Sequence, residues 1–319
     1  MSSSYQPKQV TQYEASHLIE LMGNVSETII DYSLDLLHPF ESTDLIHDNA
    51  CGAGVVSQAI MAKIPTSTEG LRIQATDINP QFVMACEQMA KLNKWPLEAH
   101  VMDARVSFNP IMLKNAVLIM DQDLDFSNNH FSHSFNNFAF HSMDVARHGL
   151  KEVHRTLKPG GMAMVSTWNE MPHTDALKHA NRRTRGENAP LPMLLQDMSF
   201  EEEHMRKALQ DAGFDPEKTK IYHKDASVTI PDLRRWAQLA WSYLGVLPSG
   251  WLHEDEEKWE EALDDIVEQL VNSDGISKND RGETVMRFAG CVAIAAKEGC
   301  NRGGFRLMRL STKCLVLNQ

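Results

Sequence analysis

IHDNACGAGVV, Ile46 to Val56, decides how this chain is read: an apolar strand runs into an acid and then into a glycine-rich bend. Gly52 and Gly54 carry no Cβ, so the main chain can turn sharply there and approach a ligand closely. The following stretch, VVSQAIMAKI from Val55 to Ile64, reads as a helix that aims its unpaired N–H groups into the same space. Such a helix start seats a carboxylate or a phosphate. Glycine-rich strand-to-helix turns are common, so the order of the next elements has to decide.

LRIQATDINPQF, Leu71 to Phe82, reads as a second strand closing on Asp77. Asn79 and Pro80 then supply an N-cap and a first helical position for QFVMACEQMAKLN. Asp77 lies 23 residues after Gly54, where a doubly wound fold places an acid that accepts hydrogen bonds from ribose hydroxyls. As a strand-end residue it is expected at the surface edge, with no buried partner of its own. A third strand, LEAHVMDA, ends on Asp103 and Ala104. Asp48, Asp77 and Asp103 would thus meet on one edge of a parallel sheet, the edge where ligands of such sheets bind.

A nicotinamide dehydrogenase is the obvious rival. The dinucleotide fingerprint wants a glycine or alanine three residues after its second glycine, and here that position is Ser57. Asp48 at the mouth of the loop suits a cationic ligand better than a pyrophosphate, which it would repel. S-adenosyl-L-methionine meets these demands: a ribose for Asp77, an adenine near Asp103, a carboxylate for the helix start, and positive charge near acidic or carbonyl oxygens.

On these residues the chain resembles the class I S-adenosylmethionine-dependent methyltransferases. DNACGAG resembles their first motif, with Ala50 where glycine is usual; TDIN and MDA resemble their ribose-side and adenine-side acids. HFSHSFNNFAFHSMDVARHGLKEVHRTLKPGGMAMVSTW is similar to their fourth strand, next helix and fifth strand, with LKPGG at Leu157 to Gly161 the most telling string. The fourth strand departs from the usual apolar run through His133, Ser134, Asn136 and Asn137. Beyond Trp168 the order of elements is similar to fungal small-molecule methyltransferases of the gliotoxin thiomethyltransferase type. The resemblance implies cofactor contacts at Tyr13, Asp48, Asn49, Ala50, Gly52, Gly54, Asp77, Ile78, Met102, Asp103, Ala104 and Asn137. It also implies an acceptor pocket near Phe138 and Trp168, and an α/β, Rossmann-like, doubly wound, mostly parallel sheet of seven strands.

Composition agrees with one enzyme unit over residues 1–298. The chain has 319 residues, 42% of them hydrophobic, enough for a large core. No apolar run has membrane-spanning length, and MSSSYQPKQV has no signal-peptide core. Five scattered cysteines without metal-ligand spacing indicate a reduced, cytoplasmic setting and no metal. The net charge is −12; the basic segment 299–319 contributes Arg302, Arg306, Arg309 and Lys313, leaving net −16 over residues 1–298. Such a body repels nucleic acid and anionic lipid, so the expected partner is a small molecule, with the oligomeric state open. The tail itself reads as appended to the fold.

The rest of the chain is read as what covers the sheet. Residues 1–40 form a helical cap dominated by one helix, SHLIELMGNVSETIIDYSLDLL, and 41–168 form the cofactor core. Residues 169–198 read as a lid of a short helix, a basic turn and a proline-rich connection. Ser199 and Glu202 make a capping box for a helix that Gly213 ends. TKIYHKDASVTI is a sixth strand, and VMRFAGCVAIAAKE the last. The helical insertion between them, 230–280, carries Trp236 and Trp241 at helical spacing. That spacing fits a packing face, and it also fits a roof over an apolar acceptor pocket.

Methyl transfer asks mainly for alignment, and for a base only where the acceptor has a high pKa. His141, after the fourth strand, and His173, after the fifth, are the candidate bases; a thiol acceptor would need neither. The competing function is a methyltransferase-like regulatory subunit acting through a protein partner. An exposed apolar patch on the insertion would mark it.

Overall fold

The computed structural model describes residues 5–12, 14–64, 70–102, 124–140, 143–192, 195 and 202–299. Apolar strands and amphipathic helices alternate as far as Glu170, and that alternation builds the sheet. Strands β1 (Leu45–Asn49), β2 (Arg72–Asp77), β3 (Leu97–Val101), β4 (Phe131–Asn137) and β5 (Leu157–Glu170) are parallel neighbours. Strands β6 (Thr219–Ile230) and β8 (Thr284–Ala296) complete the order β3-β2-β1-β4-β5-β8-β6, with β8 antiparallel to both neighbours. The order reverses between β1 and β4, and the glycine loop lies at that switch point. The sheet has eight strands, one more than expected, because short β7 (Ile276–Lys278) pairs with β8.

Helix α3 (Val55–Lys63) follows β1 and α4 (Pro80–Asn93) follows β2, as read from the sequence. Helix α5 (Met143–Thr156) leads into β5, and the LKPGG string forms an irregular turn within the start of that strand: Phe131 pairs with Leu157, His133 pairs with Met162, and Gly160 takes φ 81°. Gly160 N–H donates to Lys297 O, and Lys297 N–H donates back to Gly161 O. A Cβ on Gly161 would sit 2.9 Å from Lys158 O and from Ser132 O, so only glycine admits this approach.

The cap differs from the single helix expected. It breaks into α1 (Ala15–Met22) and α2 (Val25–Asp35) at Gly23, whose φ is 53°. A Cβ at Gly23 would lie 2.7 Å from Val228 Cγ2, so the chain bends where β6 presses against it. Val25, Ile29, Ile30 and Leu34 of α2 are buried at helical spacing against the sheet.

Helix α6 (Pro172–Arg185) replaces the short helix and basic turn expected after β5. Its basic residues Arg182, Arg183 and Arg185 form the last helical turn, where cations oppose the negative end of the helix dipole. Helix α7 (Glu202–Asp211) ends at Gly213, φ 105°. Ser199 of the expected capping box lies outside the described residues, as does the tail from residue 300. The insertion is α8 (Leu233–Leu244), α9 (His253–Glu257) and α10 (Trp259–Val271), with β7. One apolar core joins α2, α3, α6, α8 and α10 to one sheet face; a second packs α5 and α7 on the other.

Candidate active site

β1 ends in Asp48 and Asn49, which point to opposite faces by the period of two. Asp48 lies beneath the loop, 1% exposed, not at its mouth as the sequence suggested. Its Oδ2 accepts from Ser57 N–H at 3.1 Å and from Ser57 Oγ–H at 2.5 Å. Ser57, which breaks the dinucleotide fingerprint, is therefore the residue that anchors the first turn of α3 to β1. Asp48 Oδ1 is buried without a partner among the described residues. Burial drives its pKa up to about 6, against the pull of the Ser57 hydrogen bonds.

The loop turns in the left-handed region at Ala50 (φ 54°), Gly52 (φ 52°) and Gly54 (φ 88°). Ala50 keeps the conformation a glycine would take, at a cost of roughly 1–2 kcal/mol. A Cβ on Gly52 would meet nothing within 4 Å, so this side of the loop is open space. On Gly54 it would lie 2.6 Å from Met89 Cε and 3.1 Å from Cys86 Sγ. Cys51 is a buried free thiol whose pKa is raised by its contact with Cys86 and by burial.

Asp77 staples the loop to the end of β2. Its Oδ2 accepts from Gly52 N–H at 2.9 Å and its Oδ1 from Asn79 N–H at 2.8 Å. The residue is 8% exposed and holds two backbone partners, which corrects its reading as an unencumbered surface acid. Each carboxylate oxygen has further lone-pair capacity for ribose hydroxyls. Asn79 caps α4 by accepting from Gln81 N–H, with Pro80 next, as the sequence indicated. Met102 N–H reaches Asp77 O at 3.0 Å, which brings the end of β3 alongside, and Ile78 sits half-buried between them.

The end of β4 contributes Asn137 and Phe138. Asn137 Oδ1 accepts from Ser166 Oγ–H at 2.7 Å, and Phe138 N–H donates to Ser166 Oγ at 3.1 Å. Ser166, missed in the sequence, thus fixes this corner. Phe138 takes φ 54° and stacks on Trp168 with ring centres 3.9 Å apart. Trp168 continues to Phe288 at 5.5 Å.

His173, one of the two candidate bases, starts α6 beside that cluster, 5.5 Å from the Trp236 ring and 5.7 Å from Phe288. It is buried, its Nδ1 has no partner among the described residues, and burial lowers its pKa to about 4. It is therefore neutral near pH 7. Tyr13, Asp103, Ala104 and His141 lie outside the described residues.

Trp236 and Trp241 are core side chains, 2% and 1% exposed. Trp236 Nε1–H donates to Leu21 O at 3.0 Å, and the Arg185 guanidinium lies 4.8 Å over the Trp241 ring. A cleft of about 520 Å³ opens past the end of β5, lined by residues such as Glu170, Pro172, Gln269 and Arg287; neither tryptophan lines it. Arg185 is itself buried against Asp255 at 2.7 Å, and Lys258 Nζ caps Thr184 O at 2.7 Å. Helix α6 is thus clamped to the insertion.

The residues fit the cofactor inferred from the sequence: an open glycine bend, a carboxylate with spare lone pairs at Asp77, and an unsatisfied buried oxygen at Asp48. Residues 47–165 match the family model described as "Methyltransferase domain". Over this core the chain is similar to the class I S-adenosylmethionine-dependent methyltransferases. Among its relatives, the chain is 24% identical to the acetylaranotin bis-thiomethyltransferase of Aspergillus terreus over 211 residues, covering 64% of this chain and 65% of that protein. It is 22% identical to the methyltransferase tpcH of Aspergillus fumigatus over 223 residues, 68% of this chain and 72% of that one. Two solved structures share the fold. The YcgJ protein of Bacillus subtilis matches with TM-score 0.52 and 13% identity, and BH2331 of Bacillus halodurans with 0.53 and 16%; each comparison covers 86% of this chain and 99% of the other. The match to the thiomethyltransferase therefore spans just under two thirds of that relative's length. Among the described residues no helix is long and apolar enough to cross a membrane.

Proposed function

We propose that this protein is an S-adenosylmethionine-dependent methyltransferase that transfers a methyl group to oxygen or sulfur of a small organic acceptor in fungal secondary metabolism. One observation carries the site: the loop stapled to Asp77 opens beside the stacked Phe138–Trp168 pair, so a cofactor edge and an aromatic wall share one end of the sheet. The name of the Aspergillus terreus relative supports a small sulfur-bearing acceptor. When bound, S-adenosylmethionine supplies an electrophilic sulfonium methyl. The chain's part is to hold the ribose at Asp77, complement positive charge with Asp48, Asn49 carbonyl and Asn137, and keep water from the aromatic wall. Ile78, Met102, Asp103 and Ala104 would flank the adenine, and Tyr13 would close the cap side.

The same reading assigns cofactor binding to 41–168, and acceptor choice to the cap 1–40, the segment 169–198 and the insertion 230–280 of one unit, 1–298. It assigns no role to the 299–319 tail. His173, neutral and with no hydrogen-bond partner on Nδ1 among the described residues, can take a proton from a hydroxyl acceptor; His141 is the second candidate. A thiol acceptor ionises on its own and needs neither. The regulatory alternative calls for an apolar patch on the insertion, where the exposed large apolar side chains are only Leu252 and Val271. Cys51, Cys86 and Cys291 as free thiols suit a cytoplasmic, reducing setting.

Titration calorimetry with S-adenosylmethionine and with NAD tests the cofactor; binding of NAD alone overturns the reading. Turnover of matched phenol and thiol acceptors by the wild type and His173→Phe tests the base. Loss of O-methylation with S-methylation retained supports His173. Equal retention of both assigns it to packing.

A further inference from the structure

The polar fourth strand has a physical partner in β1 and β2. His47, Asn49, Thr76, Ser134 and Asn136 are each at most 2% exposed and lie together on the face away from Asp48. Five hydrogen bonds join them into a closed loop. His47 Nε2 meets Thr76 Oγ1 at 2.9 Å, and Thr76 Oγ1–H donates to Asn49 Oδ1 at 3.2 Å. Asn49 Nδ2–H donates to Asn136 Oδ1 at 2.8 Å. Asn136 Nδ2–H points to Ser134 Oγ at 3.4 Å, and also to Met164 O at 3.4 Å. Ser134 Oγ meets His47 Nδ1 at 3.4 Å, which closes the circuit.

One assignment of hydrogens satisfies every ring member. With the proton on Nε2, neutral His47 donates to Thr76, and each next group donates onward until Ser134 donates to Nδ1. Stacking of His47 on Phe131, 4.7 Å between ring centres, holds the imidazole in that plane. Burial keeps it neutral, with its pKa lowered to about 3. A buried polar network with each member paired is rigid, whereas one with a gap is costly.

Placement gives the ring its role. Asn49, Thr76 and Asn136 are each followed in the chain by a residue of the candidate cofactor edge: Ala50, Asp77 and Asn137. We propose that the five-residue ring is a positioning device, which locks the ends of β1, β2 and β4 in the mutual register that cofactor binding requires. A packed apolar layer would hold the strands together but would not fix them along their length so sharply, since hydrogen bonds are directional and packing is not. The proposal rests on the assignment of S-adenosylmethionine to this edge.

Thr76→Val keeps the shape and removes the hydroxyl that serves both His47 and Asn49; Thr76→Ser keeps the hydroxyl and removes a methyl. S-adenosylhomocysteine affinity is measured by calorimetry well below each variant's melting temperature, with Ser134→Ala and the Thr76→Val/Ser134→Ala pair alongside. The expected result is about tenfold weaker binding for Thr76→Val, about threefold for Ser134→Ala, and Thr76→Ser within threefold of wild type. The double variant should bind about as weakly as Thr76→Val alone, because a circuit once opened cannot be opened again. Affinities within twofold of wild type for folded Thr76→Val, or multiplicative losses in the double variant, overturn the ring as a positioning device. Should Thr76→Val not fold, Ser134→Ala against wild type decides by the same criterion. A wild type that binds no S-adenosylhomocysteine instead overturns the cofactor assignment, leaving the two failures distinct.

Discussion

The cofactor edge and the helical insertion both carry the residues that the sequence marks as functional, yet they are built on opposite terms. At the edge, Ala50, Gly52, Gly54 and Phe138 hold positive φ, Asp48 keeps an unsatisfied oxygen, and a Cβ on Gly52 would enter open space. In the insertion, Trp236, Trp241 and Trp259 are wholly enclosed, and Arg185 and Asp255 pair out of solvent. Strain and open valences persist where a ligand can repay them. Packing at the insertion leaves Arg185 Nη2 and Asp265 Oδ1 without hydrogen-bond partners among the described residues, but no insertion residue other than glycine takes positive φ. The edge is shaped for binding and the insertion for holding the cap, α6 and the sheet together.

The comparison is most exposed at the tryptophans. Trp236→Ala and Trp241→Ala should each cost roughly 3–5 kcal/mol of folding stability, as large-to-small changes in a close-packed core do. Cofactor affinity of the folded protein should stay within about threefold, under roughly 0.7 kcal/mol. Denaturant melts beside binding isotherms measure both. Unchanged melting with an altered acceptor range would return these residues to the roof of an acceptor pocket.

At the edge the balance should tip the other way. Asp77→Ala strands Gly52 N–H and Asn79 N–H and removes the ribose acceptor, each charged hydrogen bond being worth roughly 1.5–3 kcal/mol. Cofactor binding should weaken by roughly 2–4 kcal/mol, with a smaller loss of stability because the loop ends lie beside solvent. If the variant melts far lower while binding as tightly as wild type, Asp77 is structural and the contrast between the regions collapses.

Acid should reach both regions through buried histidines, one in each. His47 under the edge has its pKa lowered to about 3, and His173 beside the insertion to about 4. Their contribution to stability is full above the ordinary histidine value of 6.5 and is lost as pH falls toward those lowered values. From pH 7 to pH 5 each loss is roughly 2 kcal/mol. Asp48 acts in the opposite sense: its raised pKa, about 6, gives a contribution that is full below the ordinary carboxylate value and fades as pH rises through 6. It returns about 1 kcal/mol over the same interval. Stability measured against pH should therefore fall on acidification in the wild type and fall less in His173→Phe. A parallel profile for that variant would show that His173 is not held neutral by the fold.

The edge was largely legible in the sequence because its signals are local. Gly52, Gly54, Asp77, Asn79 and Pro80 announce a turn, a strand end and a helix start within a few residues of one another. The register of β4 was not legible: Ser134 and Asn136 look like a weak strand until His47 and Asn49, some 87 residues away in sequence, supply the partners. Ser57 read only as a mismatch to another motif, since its bond to Asp48 exists only once α3 folds back over β1. For the tryptophans, helical spacing shows that a face is apolar but not what covers it. The break at Gly23 was hidden for the same reason, being set by Val228 on a strand two hundred residues later.

The finest division falls within the glycine loop itself, between Gly52 and Gly54. Both hold positive φ, so alanine at either meets the same left-handed penalty of roughly 1 kcal/mol, a cost that Ala50 already shows the loop can bear. They differ in what the new methyl meets. At Gly54 it faces Met89 Cε at 2.6 Å and Cys86 Sγ at 3.1 Å, so α4 must shift and the loss should appear in stability. At Gly52 it faces open space on the side where a cofactor would lie, so the loss should appear in affinity. Gly52→Ala is expected to melt within a few degrees of wild type and to bind S-adenosylmethionine at least tenfold more weakly. Gly54→Ala should melt lower than Gly52→Ala and lose less affinity once folded. Equal affinities for Gly52→Ala and the wild type would mean that the open side of the bend does not face the cofactor, and the edge would have to be rebuilt around the Asp48 side of the loop.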